Sequence, residues 1–346
     1  MTIGLSAILP NLSNGLEHTG FLFGAGTSVE AGYPVMAGLT RSVVAGLSST
    51  ERAILDEALH SSSCIYDDAK GEPNIEFIAD LVLAHAINSG DARFSLLEGR
   101  IRDLVTEAIL SVASPNLDHH VRFLELLKAR TYGRVACIYI FTTNYDVLFE
   151  LAGAEAGVVV ESGFVGSVER YFDPVRFNTA CGLMQPNQRF SEHAVLTVRL
   201  VKLHGSVSWY SRDGRIFERH PESISSSEKR IMVLPRRGKV MDTLQAPYDT
   251  LFRIMSQSLG AECKYMASCG FSFGDDHINL NLIQPAISSG KIRLFALAAA
   301  ETAGMSAFKT APAFGAGFDS SGITAGVAHS NGCDLWKFSK FVELFA

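Results

Sequence analysis

The chain has 346 residues, of which 47% are hydrophobic and 19% charged. That length suits one elaborated α/β domain, and the apolar share excludes disorder, because so low a charge density implies extensive burial or subunit contact. A formal net charge of −6 argues against binding nucleic acid or anionic lipid through massed Lys and Arg. The six cysteines are scattered, and no pair has the two-residue spacing of a zinc-binding turn, so no structural zinc is expected. Met1 to Glu17 lacks a basic region followed by a long apolar run, and no stretch of eighteen apolar residues occurs. A cytoplasmic protein with reduced thiols and no membrane contact is therefore expected.

In chain order, the apolar run Gly20 to Phe23 ends in Gly24-Ala25-Gly26-Thr27-Ser28, and apolar positions then recur at Val35, Met36, Leu39, Val43 and Leu47. A strand, a glycine turn and a helix follow from that pattern. Residues 49–131 keep helical periodicity, with Pro73 and Pro115 at the expected breaks, and are read as a helical insertion between the first two core strands. Val135 to Phe141 is a second core strand that feeds Thr142-Thr143-Asn144-Tyr145-Asp146 and a short helix. Val158 to Val160, Leu196 to Leu203, Ile231 to Leu234, Tyr265 to Cys269 and Ile292 to Leu297 are further strand candidates, and Tyr248 to Leu259 and Ile278 to Ser288 are helices. Asp213-Gly214 marks a hairpin. Residues 298–332 are rich in Ala, Gly and Ser and nearly uncharged, and read as a loop region. Nearly all-apolar strands alternating with helices predict a single Rossmann-like α/β domain, its parallel sheet covered by helices on both faces.

Four strand ends on one expected edge carry polar or glycine-rich loops. Gly24 and Gly26 allow close approach to a pyrophosphate, but the next glycine is Gly32, which does not complete the dinucleotide fingerprint. Asn144 and Asp146 follow a buried strand, where ligands of open α/β sheets collect and where Asn and Asp also serve as caps. His204-Gly205-Ser206 follows another strand, and Gly270 to His277 forms a later glycine turn with Asp275 or Asp276 available to cap the next helix. His119-His120 lies in a helical pattern and reads as a solvated face.

Taken in order, Gly24 to Ser28 with Gly32-Tyr33-Pro34, then Thr142 to Asp146, His204-Gly205, and Gly270-Phe271-Ser272, the chain resembles the sirtuin family. The Thr-Thr-Asn-Tyr-Asp and Leu-His-Gly forms are closer to the sirtuin-like NAD+ hydrolases of bacterial antiphage defence, some of which work beside a HerA-type ATPase. The resemblance implies that Asn144 and His204 are catalytic, His204 as general base, and that Gly24, Ala25, Gly26 and Ser28 hold the NAD+ phosphates. It places Asp146 near the carboxamide and Ser272 at a phosphate or the adenine ribose, counts Thr27, Pro34 and Gly270 among the cofactor-binding residues, and likens Cys333-Asp334 to an adenine-side loop. The deacylases' Asp-Phe-Arg after Gly-x-Pro and their paired zinc-lobe cysteines are missing, so transfer to water is favoured over transfer to a lysine-linked acyl group.

The expected activity is cleavage of NAD+, as substrate, to nicotinamide and ADP-ribose without a metal. Gating of so destructive an activity, low surface charge and the amphipathic insertion predict a homo-oligomer, with a HerA-type ATPase as a possible partner and no direct nucleic-acid binding. Competing readings are a non-catalytic NAD+ or ADP-ribose sensor, a deacylase, and a nuclease using Asp275, Asp276 and His277.

Overall fold

The computed structural model describes residues 16–225, 228–232 and 246–346. Its centre is strand β1 (Thr19–Phe23), every residue of which is buried. Because side chains alternate across a strand, Phe21 and Phe23 enter one core layer and Leu22 the other. Five helices separate β1 from β2 (Ala136–Thr142): α1 (Met36–Ala45), α2 (Ser49–Ser61), α3 (Ile75–Ser89), α4 (Ala92–Leu110) and α5 (Asp118–Arg130). Local chemistry sets their limits. Ser48 and Glu51 form a reciprocal capping box on α2, Asn74 caps α3, and Gly90 ends α3 in the left-handed conformation. Helices α1 to α4 contribute most of one apolar cluster, including Leu55, Ile78, Val82, Leu97 and Ile101, which Val207 and Met232 join.

After β2 come α6 (Leu148–Ala156), β3 (Val159–Glu161), β4 (Phe164–Gly166), β5 (Arg170–Phe172), β6 (Gly182–Met184), β7 (Phe190–Glu192) and β8 (Leu196–Lys202). They are followed by β9 (Gly205–Arg212), β10 (Arg215–Glu218), β11 (Lys229–Met232), α7 (Tyr248–Ser258) and β12 (Tyr265–Cys269). The chain ends through α8 (Asp276–Ile278), a π turn (Asn279–Ile283), α9 (Gln284–Ser288), β13 (Arg293–Leu297), β14 (Phe314–Gly317), β15 (Gly322–Thr324), β16 (Val327–His329) and α10 (Phe338–Glu343).

Nine strands form the main sheet in the order β16-β15-β14-β13-β12-β1-β2-β8-β3. From β14 to β3 all neighbours are parallel; β15 and β16 add an antiparallel edge. Apart from β3, the six core strands run β8-β2-β1-β12-β13-β14, the doubly wound order in which successive strands lie first to one side of β1 and then to the other. The fold is Rossmann-like α/β. Helices α5, α6 and α10 cover the Phe21/Phe23 face, with Phe21 edge-on to Phe123 at 5.2 Å and Phe23 stacked on Phe149 at 5.4 Å. The opposite face packs on α7, on Trp209 of β9 and on Phe164 of β4.

Strands β11-β9-β10-β5-β4 make a separate antiparallel sheet. Asp213 and Gly214, both at positive φ, form the two-residue turn between β9 and β10. The strand expected at Ile231 to Leu234 corresponds to β11, and its last two positions lie outside the described residues. Two expectations need correction. The 298–332 stretch contains β14, β15 and β16 rather than loop alone. His120 is not on a solvated face: it is 2% exposed, packed between Phe149 and Phe338.

Among the described residues no helix is long and apolar enough to cross a membrane.

Candidate active site

Register fixes the site. Phe23 pairs with both Thr142 of β2 and Cys269 of β12, Thr142 pairs with Lys202 of β8, and Cys269 with Leu297 of β13. The five strands therefore end level, and the residues that follow them, Gly24, Asn144, His204, Gly270 and Ala298, surround one cavity of about 490 Å³. Its volume is in the range of roughly 300–1,000 Å³ typical of small-molecule sites. It lies where β1 parts from β2 on one side and β12 on the other, the switch point at which such sheets bind ligands.

Gly24 and Gly26 are needed first for packing between loops. A Cβ on Gly24 would sit 2.7 Å from the Gly270 carbonyl oxygen, and one on Gly26 2.5 Å from Gly270 Cα. Gly270 itself has φ +64°, a left-handed value that suits glycine. The two glycine turns interlock, and their backbones form the cavity floor.

The Asn144 side chain ties the second loop to the first. Its Nδ2 donates to the Gly24 carbonyl at 3.1 Å, to Thr27 Oγ1 at 3.2 Å and to Ser28 Oγ at 2.9 Å. Since the Gly24 carbonyl can only accept, the amide nitrogen must face it, which leaves the carboxamide oxygen as the other end of the group. Ser28 in turn donates to Asp146 Oδ2 at 2.7 Å, and Asp146 Oδ1 accepts from the Leu148 amide at 3.2 Å. The fully buried Lys202 donates to the Asp146 carbonyl oxygen and to Glu150 Oε1, the latter at 2.9 Å. Thus the loop after β2 is held from both sides.

His204, 5% exposed, has Nε2 at 2.8 Å from Asp275 Oδ2. Asp275 Oδ1 meanwhile accepts from the amides of His277 and Ile278 and caps α8. The Tyr145 ring lies 6.3 Å from the imidazole, and burial raises the Tyr145 hydroxyl pKa well above its ordinary value. Tyr33, on the cavity wall, is shifted upward by burial, then by the Asp146 and Glu150 carboxylates. Both phenols thus stay protonated donors at neutral pH.

Of the residues singled out in the sequence, Gly24, Ala25, Gly26, Ser28, Pro34, Asn144, Asp146, His204, Gly270 and Ser272 line this cavity. Thr27 is buried just behind it, donating to the Gly24 carbonyl. Cys333 and Asp334 do not line it. The Cys333 amide bonds to the Phe318 carbonyl and Asp334 is exposed, whereas their neighbour Trp336 reaches the wall. The indole Nε1 is buried without a hydrogen-bond partner among the described residues. Ser339 anchors this terminal segment by two bonds to Glu30, at 2.8 and 2.7 Å.

Sequence reasoning missed Tyr33, Trp336, the α1 residues Met36 and Leu39, and the insertion residues Glu76 and Ile109 as wall residues. It weighed Asp275 only as a cap or a metal ligand. Tyr33 lay inside the Gly32-Tyr33-Pro34 motif without being assigned a role, and no motif announces the others, because chain segments far apart in sequence bring them together. Among the described residues no group of three or more His, Cys, Asp or Glu could hold a metal ion.

The doubly wound sheet thus places an amide, an imidazole and two glycine turns at its switch point, where open α/β sheets bind ligands. Residues 139–308 match the family model of the SIR2-like domain, which supports a sirtuin-like family. SIR2-like domains bind NAD+ and are generally NAD-dependent enzymes. The matched stretch runs from β2 to just beyond β13 and includes Asn144, Asp146, His204 and Ser272; the glycine turn after β1 lies before it. A comparison with curated proteins found no match.

Proposed function

We propose that this chain hydrolyses NAD+ at the bond between nicotinamide and ribose, releasing nicotinamide and ADP-ribose. The carrying observation is that Asn144 and His204, sixty residues apart in sequence, border one cavity together with both glycine turns. The fit to a dinucleotide is supported by the backbone floor at Gly24 to Gly26.

Departure of nicotinamide leaves an oxocarbenium-like ribose. With its nitrogen committed to the first loop, Asn144 offers its carboxamide oxygen to a water or ribose hydroxyl without titrating. His204 accepts a proton from that nucleophile; a positioned base of this kind contributes about 10²–10⁴-fold. The rigid hydrogen-bonded loops orient both groups in advance, which lowers the entropic part of the barrier. The mostly apolar wall from α1, α3 and α4 limits water to what the polar groups hold.

Depletion of NAD+ in antiphage defence is the cellular role proposed on the sequence resemblance, with assembly or a HerA-type ATPase as the gate. Incubation with NAD+ followed by chromatography tests the activity. Nicotinamide and ADP-ribose should appear in equal amounts and be absent with His204→Ala. NAD+ returned unchanged under all conditions, including with the ATPase, would instead favour a binding sensor.

A further inference from the structure

We infer that Asp275 is the positioning residue that selects the working tautomer of His204, so that Nδ1 and not Nε2 is the nitrogen that takes the proton. The inference rests on the NAD+ hydrolase reading for its kinetic consequence, though not for its structural content.

The geometry leaves one arrangement. Asp275 Oδ1 is occupied by two backbone donors, the amides of His277 at 3.0 Å and Ile278 at 3.4 Å. Its Oδ2 faces His204 Nε2 at 2.8 Å, with both side chains nearly buried, at 6% and 7% exposure. An ionised carboxylate can only accept, so Nε2 must carry the hydrogen; in a neutral imidazole the lone pair then belongs to Nδ1. The carboxylate cannot turn away, because its other oxygen is fixed by the helix it caps. The loop carrying it is pinned as well: Asn279 Nδ2 donates to the Phe273 carbonyl at 2.7 Å and Thr302 Oγ1 to the Ser272 carbonyl at 2.6 Å. One aspartate thus fixes where α8 begins and which imidazole nitrogen is basic.

Other titratable groups on the same cavity are Tyr145, whose ring faces the imidazole, and Asp146 from the loop after β2, and Glu76 from α3; Tyr248, at the start of α7, lies beside Gly205, and Lys202 is two residues before His204 in the chain. The Tyr248 hydroxyl would lie 3.0 Å from a Cβ built on Gly205. Asp275 is in direct hydrogen-bond contact with Nε2.

The test compares Asp275→Asn and Asp275→Ser with wild type. Both Asn and Ser are good helix N-caps, so α8 keeps its start. Asn, however, can turn an N–H toward the imidazole, and Ser is too short to reach it. Nicotinamide release should fall about 10²–10⁴-fold in kcat, with KM for NAD+ within about twofold of wild type. The acid limb of the rate profile should move to lower pH by about one unit or more, since a negative partner favours the charged imidazole. Retention of more than a third of wild-type kcat in either folded variant would overturn the assignment.

A second readout does not depend on turnover. Nitrogen-15 NMR of histidine-labelled protein, with His204 identified by its loss in His204→Gln, should show a protonated Nε2 and an unprotonated Nδ1 in wild type. The pattern should reverse or mix in Asp275→Asn. A protonated Nδ1 in wild type, or no change on substitution, would also overturn the proposal. Absence of nicotinamide release from wild type would strike at the hydrolase reading and leave the NMR result to decide the role of Asp275.

Discussion

Removing the carboxylate of Glu150 should be far more damaging than its position on a short helix suggests. Lys202 is 1% exposed, and its ammonium meets the Glu150 carboxylate at 2.9 Å and the Asp146 carbonyl. At an effective dielectric near 20 the attraction at that distance is about 6 kcal/mol, and it is offset by a desolvation cost of several kcal/mol per ion. The pair as a whole therefore contributes little net stability, but Glu150→Ala strands a buried ammonium beside a single carbonyl. Loss of about 3–5 kcal/mol is expected, the range for breaking a buried pair from one side. Lys202→Met should cost less, about 1–3 kcal/mol, because what remains is an unsatisfied carbonyl and a Glu150 side chain 19% exposed that can turn toward water. The double variant should recover part of the Glu150→Ala loss. Urea unfolding followed by circular dichroism gives the three values and their coupling. As a control, removing Glu301 from its surface pair with Lys309, where both side chains are 40% exposed, should leave the midpoint within error. A Glu150→Ala protein less than 1 kcal/mol below wild type would refute the argument, since the buried charge would then have found other compensation.

Asn144→Ala should abolish nicotinamide release and also lower stability by about 1–3 kcal/mol, because the donors to Gly24, Thr27 and Ser28 go with it; chromatography and urea unfolding measure the two effects separately. Gly26→Ala should be worse than a typical loop change, at about 2 kcal/mol or more, since its Cβ would lie 2.5 Å from Gly270 backbone, and unfolding midpoints check it. The chain has two tryptophans. Trp209 is fully buried and bonded to Glu218, whereas Trp336 borders the cavity, so ADP-ribose titration should change emission in wild type and not in Trp336→Phe. Burial lowers the His120 pKa to about 4. Its unfolded value is about 6.5, so the unfolded chain binds the extra proton between those pH values, and stability is lost as pH falls from 6.5 toward 4 at up to about 1.4 kcal/mol per unit. Unfolding at pH 7 and pH 5 should show a drop in wild type about 2 kcal/mol larger than in His120→Gln.

The central strands were legible because each is a short apolar run with a polar or glycine signal at its end: Phe21 to Phe23, Ile138 to Phe141, Val198 to Leu203. Parallel strands buried on both faces need that composition. Strand β14 was not legible for the opposite reason. Its sequence is Phe-Gly-Ala-Gly, all four positions are buried, and a Cβ on Gly315 would lie 2.8 Å from the Phe295 ring. Small residues there make room for a neighbouring aromatic, and propensity reads such a run as loop. His120 misled in another way, since the neighbouring His119 is partly exposed and only the aromatic layer formed by Phe149 and Phe338 takes the second ring inside.

At the site, residues at strand ends could be read because position along a strand predicts which edge they join. Asp275 as a partner of His204, and the wall built by Trp336 and the insertion helices, could not. Those relations depend on packing between segments up to 312 positions apart, as for Gly24 and Trp336, and no local pattern encodes them.

The strand order has a consequence for how the protein comes into being. The first turn of the cavity, at Gly24, and its last wall residue, Trp336, are 312 positions apart in the chain. A ribosome must therefore deliver all of the chain between them before the pocket can close, and contacts that distant in sequence form slowly. A nascent fragment lacks the finished chamber, so synthesis itself delays the moment at which the chain can hold a ligand there.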